Sequence, residues 1–202
     1  MNPEIRKEDL KTFKQVSNSV DNMRKKESTL LIGIDGCGGF GKSYLADKLR
    51  NEYSNVTIIH MDDFHFPSSK LINANPRNKP IGADFDWRRV LKDVLNPVSQ
   101  ESTGYYQRYD WDKDDLAEWH TVPVGDIVIV EGVYAIRKEL ANKYDIRIWV
   151  DTPREVRLSR GIKRDGEEAR GMWENNWMVS EDLYVERQMP FKKADFIVRG
   201  IS

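Results

Sequence analysis

The fold is decided by the stretch Gly36-Cys37-Gly38-Gly39-Phe40-Gly41-Lys42-Ser43, which matches the pattern G-x-x-x-x-G-K-[ST] at every fixed position. This pattern is typical of a phosphate-binding P-loop when a strand precedes it and a helix follows it. The apolar run Thr29–Asp35 comes before the loop, and apolar residues at helical spacing follow it as far as Asn51. The sequence therefore predicts a strand, a glycine loop and a helix in the order that a P-loop needs.

Each part of the loop has a predicted role in binding ATP. Its glycines let the backbone curve round a polyphosphate, and the start of the helix adds a positive dipole end. Lys42 is predicted to reach the β- and γ-phosphates and to be catalytic, and the Ser43 hydroxyl is predicted to ligate Mg²⁺. The predicted cofactor-binding residues of this region are Gly36, Gly38, Gly39, Gly41, Lys42, Ser43 and Tyr44.

Composition limits the classes of protein that fit. The chain has 202 residues, which suits one domain over 1–202, and its formal net charge of -1 gives no bulk attraction to nucleic acid or anionic membranes. No apolar run reaches the roughly 18 residues of a membrane span. The one cysteine, Cys37, cannot form an internal disulfide, which agrees with a reducing cytoplasm. We expect a cytoplasmic protein without a nucleic-acid or membrane partner; whether it forms a homo-oligomer is left open.

Acidic residues stand at the ends of two further predicted strands. The acids Asp62 and Asp63 follow the β-rich run Val56–His60, and the apolar run Asp126–Val130 ends at Glu131. Ligands of an open α/β sheet lie outside the carboxyl ends of its strands, so these acids should lie beside the P-loop. Glu131 is predicted to hold the water shell of Mg²⁺. The paired acids could form a turn or cap, or could act as a general base and a substrate contact.

Residues 65 to about 120 are predicted to form an insertion that binds the acceptor. An irregular loop over residues 67–83 leads to a helix that begins near Trp87. Asp84 and Asp86 stand at the start of this helix. Either could be its N-cap, since Asp accepts hydrogen bonds from the first free N–H groups, and either could contact substrate.

Two aromatic residues lie later in the insertion. Tyr109 and Trp111 alternate with Asp110 on a predicted hairpin strand, so both rings should point to the same side. Aromatic side chains on one face usually pack in a core. A planar substrate could also stack on them, and we include both as candidate substrate contacts.

A basic stripe follows a strong helix-start signal. Thr152 is predicted to cap a helix in which Pro153 takes the first position. On that helix Arg157, Arg160 and Arg164 fall at i, i+3 and i+7 and share one face. The stripe could simply be solvated. It also leads into a segment, about 164–190, that we predict to be a lid, where arginines would neutralise charge on a transferring phosphoryl group.

The remaining segments complete the predicted fold. Residues 4–25 carry apolar residues at helical spacing and are predicted to form an N-terminal helix within region 1–28. Ile146–Val150 and Asp195–Arg199 are predicted to be the fourth and fifth strands, counted from the strand before the P-loop.

Five of these stretches occur together, in order, in a known family. They are Asp35–Ser43, Met61–Phe64, Tyr109–Trp111, Val130–Gly132 and Arg157–Asp165. In this combination the sequence resembles the uridine kinase family, whose wider group includes phosphoribulokinase and bacterial pantothenate kinase. It looks most like the bacterial uridine kinase-like proteins. The likeness runs from about residue 29 to residue 200. The P-loop alone indicates nucleotide binding, and the later stretches indicate a kinase of small molecules.

The resemblance implies an α/β P-loop fold. The parallel five-stranded sheet would have the order 2-3-1-4-5, with helices on both faces and a lid. The implied activity is ATP- and Mg²⁺-dependent phosphorylation of a hydroxyl on a small molecule, with a nucleoside such as uridine or cytidine favoured. Kinases of pantothenate-like compounds, sugar phosphates or nicotinamide riboside are the alternatives. A GTPase switch is less favoured, since the third strand ends in Val130-Glu131-Gly132 and not in D-x-x-G. A nucleotide-binding regulatory protein is less favoured because the sequence holds a candidate for every catalytic part.

The resemblance also assigns roles to individual residues. The family's catalytic aspartate falls on Asp62, and its ribose-binding aspartate falls on Asp84 or Asp86. Its base-stacking aromatics fall on Tyr109 and Trp111. The lid arginines it implies are Arg157, which is expected to bind ATP, and Arg160 and Arg164, which are expected to be catalytic.

The chain departs from the family pattern at one place. Uridine kinases carry a histidine shortly after the Tyr-Asp-aromatic stretch, where it reads the pyrimidine. This chain has Asp112-Lys113-Asp114-Asp115 there. The departure bears on the identity of the acceptor and leaves the phosphotransfer groups intact.

Overall fold

The structure is a computed structural model that describes residues 4–24 and 28–200. Its strands are β1 (Leu10–Lys11), β2 (Leu30–Asp35), β3 (Val56–His60), β4 (Gly104–Asp110), β5 (Asp115–Val122), β6 (Ile127–Glu131), β7 (Ile146–Asp151) and β8 (Phe196–Arg199). Its α-helices are α1 (Phe13–Met23), α2 (Lys42–Glu52), α3 (Trp87–Arg89), α4 (Asn96–Ser99), α5 (Arg154–Asp165), α6 (Arg170–Met172), α7 (Met178–Gln188) and α8 (Pro190–Lys193).

The main sheet is parallel, as predicted, but it is larger than predicted. Its order is β1-β8-β7-β2-β6-β3, with β2 at the centre between β7 and β6. Every residue of β2 and β6 is buried, which suits strands covered by helices on both faces. The sheet has six strands and not five, and its order differs from the predicted one by the strand β1, which pairs with β8 at the edge.

The N-terminal region contains more than the predicted helix. A 3₁₀ turn, Lys7–Asp9, precedes β1, and the helix α1 begins only at Phe13. Thr12 and Gln15 form a capping box, in which each side chain accepts a hydrogen bond from the other's backbone N–H. This cap explains why the helix starts after β1. The end of the predicted helix, residue 25, lies outside the described residues.

Helices cover both faces of the sheet. On β7 the Trp149 ring lies 6.5 Å from the Phe191 ring of α8. The next residue, Val150, lines a cleft together with Phe13 of α1 and Leu45 of α2. Because neighbouring side chains of a strand point to opposite faces, α8 and the pair α1 and α2 lie on opposite sides. No helix in the described ranges is long and apolar enough to span a bilayer.

The insertion has more regular structure than the sequence suggested. Short 3₁₀ turns lie at Ser68–Lys70 and Pro76–Asn78. The helices α3 and α4 are joined by a π-helical stretch, Val90–Leu95. Among the described residues the strands β4 and β5 pair only with each other, as a separate antiparallel sheet. The predicted hairpin is therefore present, but it does not extend the main sheet.

The predicted lid is helical. After α5 ends at Asp165, the 3₁₀ turn Glu167–Ala169, α6 and the π-helical stretch Trp173–Trp177 lead directly into α7.

The prediction that Thr152 caps α5 is wrong. Pro153 is the cap residue of α5, and the Thr152 hydroxyl instead donates to the Phe40 carbonyl, 3.3 Å away. The burial of Thr152 between the sheet and the P-loop gives its hydroxyl this nearer partner.

Candidate active site

The P-loop crosses from the carboxyl end of β2 to the start of α2. Gly41 occupies the N-cap position with φ of 85°, a conformation that favours glycine, and its carbonyl accepts the Leu45 N–H. Lys42 is buried, and its amine donates to the Cys37 carbonyl across the loop at 3.1 Å. The amine is thus held over the loop, where a bound phosphate would offer it a stronger, charged acceptor.

A carboxylate from the neighbouring strand meets the start of α2. Glu131 ends β6, and its Oε1 accepts the Ser43 hydroxyl at 3.0 Å. The His60 Nδ1 lies 2.6 Å from the same oxygen. Burial alone would raise the pKa of Glu131, but His60, Lys42 and Ser43 together lower it, so this carboxyl is ionised at neutral pH. A hydroxyl beside an ionised carboxylate is a donor set that Mg²⁺ accepts.

No larger metal-ligand group accompanies this pair. Within residues 4–24 and 28–200 no cluster of three or more His, Cys, Asp or Glu side chains is arranged to hold a metal ion. Mg²⁺ usually keeps several waters and is bound through one or two protein ligands together with substrate phosphates. Ser43 and Glu131 therefore fit a Mg²⁺ that arrives with a nucleotide.

The paired acids after β3 lie in a 3₁₀ turn, Met61–Phe64, and not on extended backbone. Asp62 is accessible to solvent yet surrounded by protein, and the lost hydration raises the pKa of its carboxyl, partly offset by the charge of Lys42. Asp63 is half-buried and accepts the Tyr106 hydroxyl at 2.8 Å. The two acids thus have different surroundings: Asp62 interacts with the P-loop lysine, and Asp63 holds the hairpin.

The three arginines of α5 have three different environments. Arg157 is buried, with its guanidinium 4.9 Å from the centre of the Phe40 ring. Arg160 donates to the Gly39 carbonyl of the P-loop at 3.0 Å. Arg164 is exposed, forms an ion pair with Asp165, and interacts electrostatically with Asp62. Arg160 and Arg164 thus lie at the loop and towards Asp62, whereas Arg157 lies beneath the loop.

An aromatic cluster stands beside the acids. The His65 ring lies 5.2 Å from the Tyr109 ring and 4.6 Å from the Trp111 ring, so these two aromatics meet on the same side. Tyr109 is buried and donates to Asp114 at 2.6 Å, whereas Trp111 is 58% exposed. Burial lowers the pKa of His65, which keeps its ring neutral at pH 7. The rings are tilted at 41° to 83° to one another, so the open face of this cluster is that of the exposed Trp111 ring.

The two acids before the helix have separate roles in the structure. Asp86 is the N-cap of α3 and accepts the Arg89 N–H at 3.3 Å, which agrees with the capping alternative. Asp84 pairs with the Lys79 amine at 3.0 Å and interacts electrostatically with the His65 ring. Asp84 therefore lies closer to the aromatic cluster than its sequence position alone indicated.

Sequence reasoning missed three residues that organise this site. Asp35 is fully buried and accepts four hydrogen bonds, which tie the P-loop to the segment after β6 and to Tyr184 of α7. His60 contacts Glu131, and Glu181 of α7 accepts a P-loop N–H. The sequence did contain a signal for Glu181, because this acid interrupts a stripe of aromatic residues at helical spacing. Cys37 is buried in the hydrophobic core, and burial raises the pKa of its thiol.

The fold and this site together define a class. A glycine loop between a buried parallel strand and a helix, with a lysine and a hydroxyl at the helix start, belongs to P-loop phosphate-binding proteins. A sequence profile described as the phosphoribulokinase / uridine kinase family matches residues 31–201. The chain belongs to that family, and the resemblance seen in its motifs is confirmed.

Similar proteins agree with this assignment. The uridine kinase of Ureaplasma urealyticum is 26% identical over 157 residues, which are 74% of this chain and 75% of that protein. The uridine kinase of Clostridium novyi is 34% identical over 146 residues, which are 67% of this chain and 68% of that protein. A solved structure of a possible uridine kinase from Bacillus stearothermophilus has a TM-score of 0.72 and 22% identity, covering 92% of this chain and 96% of that chain. Family membership supports a small-molecule kinase.

Proposed function

We propose that this protein transfers the γ-phosphate of ATP to a hydroxyl of a small planar molecule, with a nucleoside such as uridine or cytidine as the favoured acceptor. One observation carries the proposal. The P-loop lysine, Lys42, and the acid Asp62 interact at one end of the sheet, and the aromatic cluster begins three residues after that acid. A donor site, a base and a stacking surface are therefore adjacent.

The donor side would be held by the P-loop. Backbone N–H groups of the loop and the amine of Lys42 would bind the phosphates, and Tyr44, exposed in the first turn of α2, would lie toward the nucleoside of ATP. Ser43 and Glu131 would hold Mg²⁺. Mg²⁺ held there would neutralise negative charge that develops on the phosphates during transfer.

The acceptor side would be activated by Asp62. Its carboxylate would take the proton of the attacking hydroxyl, which a general base must reach directly or through one water. Its raised pKa makes it a stronger base than an ordinary aspartate, and the positive charge of Lys42 favours its ionised form. Asp63, which bonds to the hairpin, would fix the turn that carries Asp62.

The arginines would act on the transferring group. Arg160 and Arg164 are the two that face the loop and Asp62, so their charges can stabilise the phosphoryl oxygens as charge shifts.

Changing either Arg160 or Arg164 to alanine is expected to lower turnover by about 10²–10³-fold, with little change in melting temperature. The measurement is steady-state turnover beside thermal melting. Lys163→Ala, which removes a neighbouring exposed charge of the same helix, is the control. Loss of stability with normal turnover would make the stripe structural.

The aromatic cluster favours a planar acceptor. Trp111 is largely exposed but already contacts His65 and Tyr109, so a flat ring can stack on it without rearranging the core. Stacking of a base on an aromatic side chain contributes about 1–3 kcal/mol. Nucleosides and nicotinamide riboside satisfy this requirement, whereas pantothenate-like compounds and sugar phosphates offer no flat ring. The names of the similar proteins support uridine among the planar candidates.

We predict that Trp111→Ala weakens binding of a nucleoside acceptor by about tenfold or more, because the stacking surface is removed. Affinity for an unreactive ATP analogue should not change. Trp119→Ala is the matched control, since Trp119 is also exposed but lies on β5 away from the cluster. Titration of both variants with the acceptor measures this. Equal affinities for the acceptor would remove Trp111 from the acceptor site.

The proposed function is tested by a thermal-shift panel. Nucleosides, sugars, sugar phosphates and vitamins would be added to the protein with Mg²⁺ and an unreactive ATP analogue. A ligand at a hundred times its Kd stabilises the folded state by about 2.7 kcal/mol, which shifts the melting temperature clearly. Compounds that shift it would then be tested for phosphorylation by ATP. A protein that binds the analogue but phosphorylates no planar hydroxyl compound would contradict the proposal.

A further inference from the structure

One peptide unit of the P-loop is held at both of its ends. The Gly38 N–H donates to Glu181 Oε1 at 2.8 Å, and the Cys37 carbonyl accepts the Lys42 amine at 3.1 Å. These two groups belong to the same planar peptide, so they point in opposite directions. The carboxylate therefore fixes the orientation in which the carbonyl meets the lysine.

The acceptor of that N–H is an unusual group to find behind a phosphate site. Glu181 is 5% exposed and comes from the first turn of α7, 143 residues away in the sequence. Its Oε2 is buried without a hydrogen bond, and the Arg157 guanidinium forms an ion pair with it at 3.8 Å. A buried carboxyl is costly to desolvate, and it would oppose a polyphosphate nearby if it were not neutralised. Packing alone does not require an acid here.

The surrounding contacts make the peptide difficult to turn. A Cβ on Gly38 would lie 2.9 Å from the Trp173 ring, and a Cβ on Gly39 would lie 2.8 Å from the Arg157 carbonyl. Trp173 is itself buried and held by a hydrogen bond from its indole N–H to Asp165. The lid segment and α5 thus pack closely against two consecutive glycines of the loop. Glu181 adds the hydrogen bond that fixes the direction of the Gly38 N–H.

We propose that Glu181 is a positioning residue for Lys42. By holding the Gly38 N–H it keeps the Cys37 carbonyl turned towards the lysine, and so places the amine over the loop before a nucleotide arrives. Arg157 has a supporting part: it balances the charge of Glu181 and does not bind the phosphates. This inference rests on the proposed binding of ATP to the loop.

The test separates the hydrogen bond from the charge. The variants Arg157→Met/Glu181→Gln and Arg157→Met/Glu181→Met both remove the buried charge pair, and they differ only in whether residue 181 offers an oxygen to Gly38. Affinity for an unreactive ATP analogue with Mg²⁺ would be measured by calorimetry, and amide exchange of the P-loop peptide by mass spectrometry. The Met variant should bind about tenfold more weakly than the Gln variant, as expected for one lost hydrogen bond, and should exchange faster at Gly38.

The controls decide each outcome. Glu186→Gln, an exposed change on the same helix, should match the wild type in both measurements. Should a double variant fail to fold, Glu181→Asp makes the same test, since it keeps the charge but withdraws the oxygen from Gly38. Equal affinity and equal exchange in the Gln and Met variants would overturn the positioning role. A wild-type protein that fails to bind the analogue would overturn the proposed function instead. The amide exchange rates at Gly38 would still test whether Glu181 holds this N–H.

Discussion

Replacing Lys42 by methionine is expected to lower phosphotransfer by about 10²–10³-fold or more, which is the cost of removing a charged group that acts on the transferring phosphate. Lys42 is buried in the loop and donates to the Cys37 carbonyl, so its amine already stands where the phosphates would bind. Methionine preserves most of the length of the side chain and removes only the charge and the donors.

Turnover and affinity for an unreactive ATP analogue should both fall in this variant. Lys42 also offsets the negative charges of Asp62 and Glu131, so the melting temperature must be measured together with turnover. Arg50→Ala removes a positive charge from the exposed face of the same helix and serves as the control. Normal phosphotransfer by a folded Lys42→Met protein would refute the assignment of the loop.

The parts of the site predicted correctly from sequence are those set by local patterns. The P-loop motif lies between a buried strand and a helix, as its flanks indicated. Glu131 lies beside Ser43 because the ends of parallel strands meet at one edge of the sheet. Alternation predicted that the Tyr109 and Trp111 rings point to one side. The strand β4 ends at Asp110, before Trp111, yet the two rings still lie 4.9 Å apart. In each case a spacing of a few residues carried the information.

The parts that were missed depend on contacts between distant segments. Thr152 has a sequence suited to a helix cap, yet its hydroxyl is taken by Phe40, 112 residues away. The strand β1 has two residues, too few for a periodic pattern, and exists because β8 offers it an edge. Glu181 lay in a stripe that helical spacing predicted to be packing, and only the folded chain brings it to Gly38. Tertiary partners of this kind leave almost no local signal.

Asp62 and Asp63 are neighbours in one turn, and their interaction partners distinguish them. Both acids follow β3, and extended backbone would turn their side chains to opposite faces, but a 3₁₀ turn replaces the strand there. The separation comes instead from their partners. Asp63 is engaged by the Tyr106 hydroxyl, whereas Asp62 interacts with Lys42 and Arg164. These partners support the proposal that Asp62 is the base.

Asp62→Asn is accordingly expected to lower turnover by about 10²–10⁴-fold, the usual contribution of a positioned base. Affinity for ATP should stay the same or rise, since a negative charge near the phosphates is removed. The surrounding protein removes part of the hydration of Asp62 and so raises its pKa, and wild-type turnover should therefore fall as the pH drops through a value above that of an ordinary aspartate. The residual turnover of the Asn variant should lack this acidic limb.

Asp63→Asn is the matched control, because it makes the same change one residue away in the same turn. Its side chain keeps a carbonyl oxygen that can accept the Tyr106 hydroxyl, so turnover should remain within a few-fold of wild type. The measurement is steady-state turnover of both variants from pH 4 to 8, with the acceptor that the thermal panel identifies. If Asp63→Asn is the severe variant and Asp62→Asn is near wild type, Asp63 is the base. In that case the hydroxyl of Tyr106 would have to release it during the reaction.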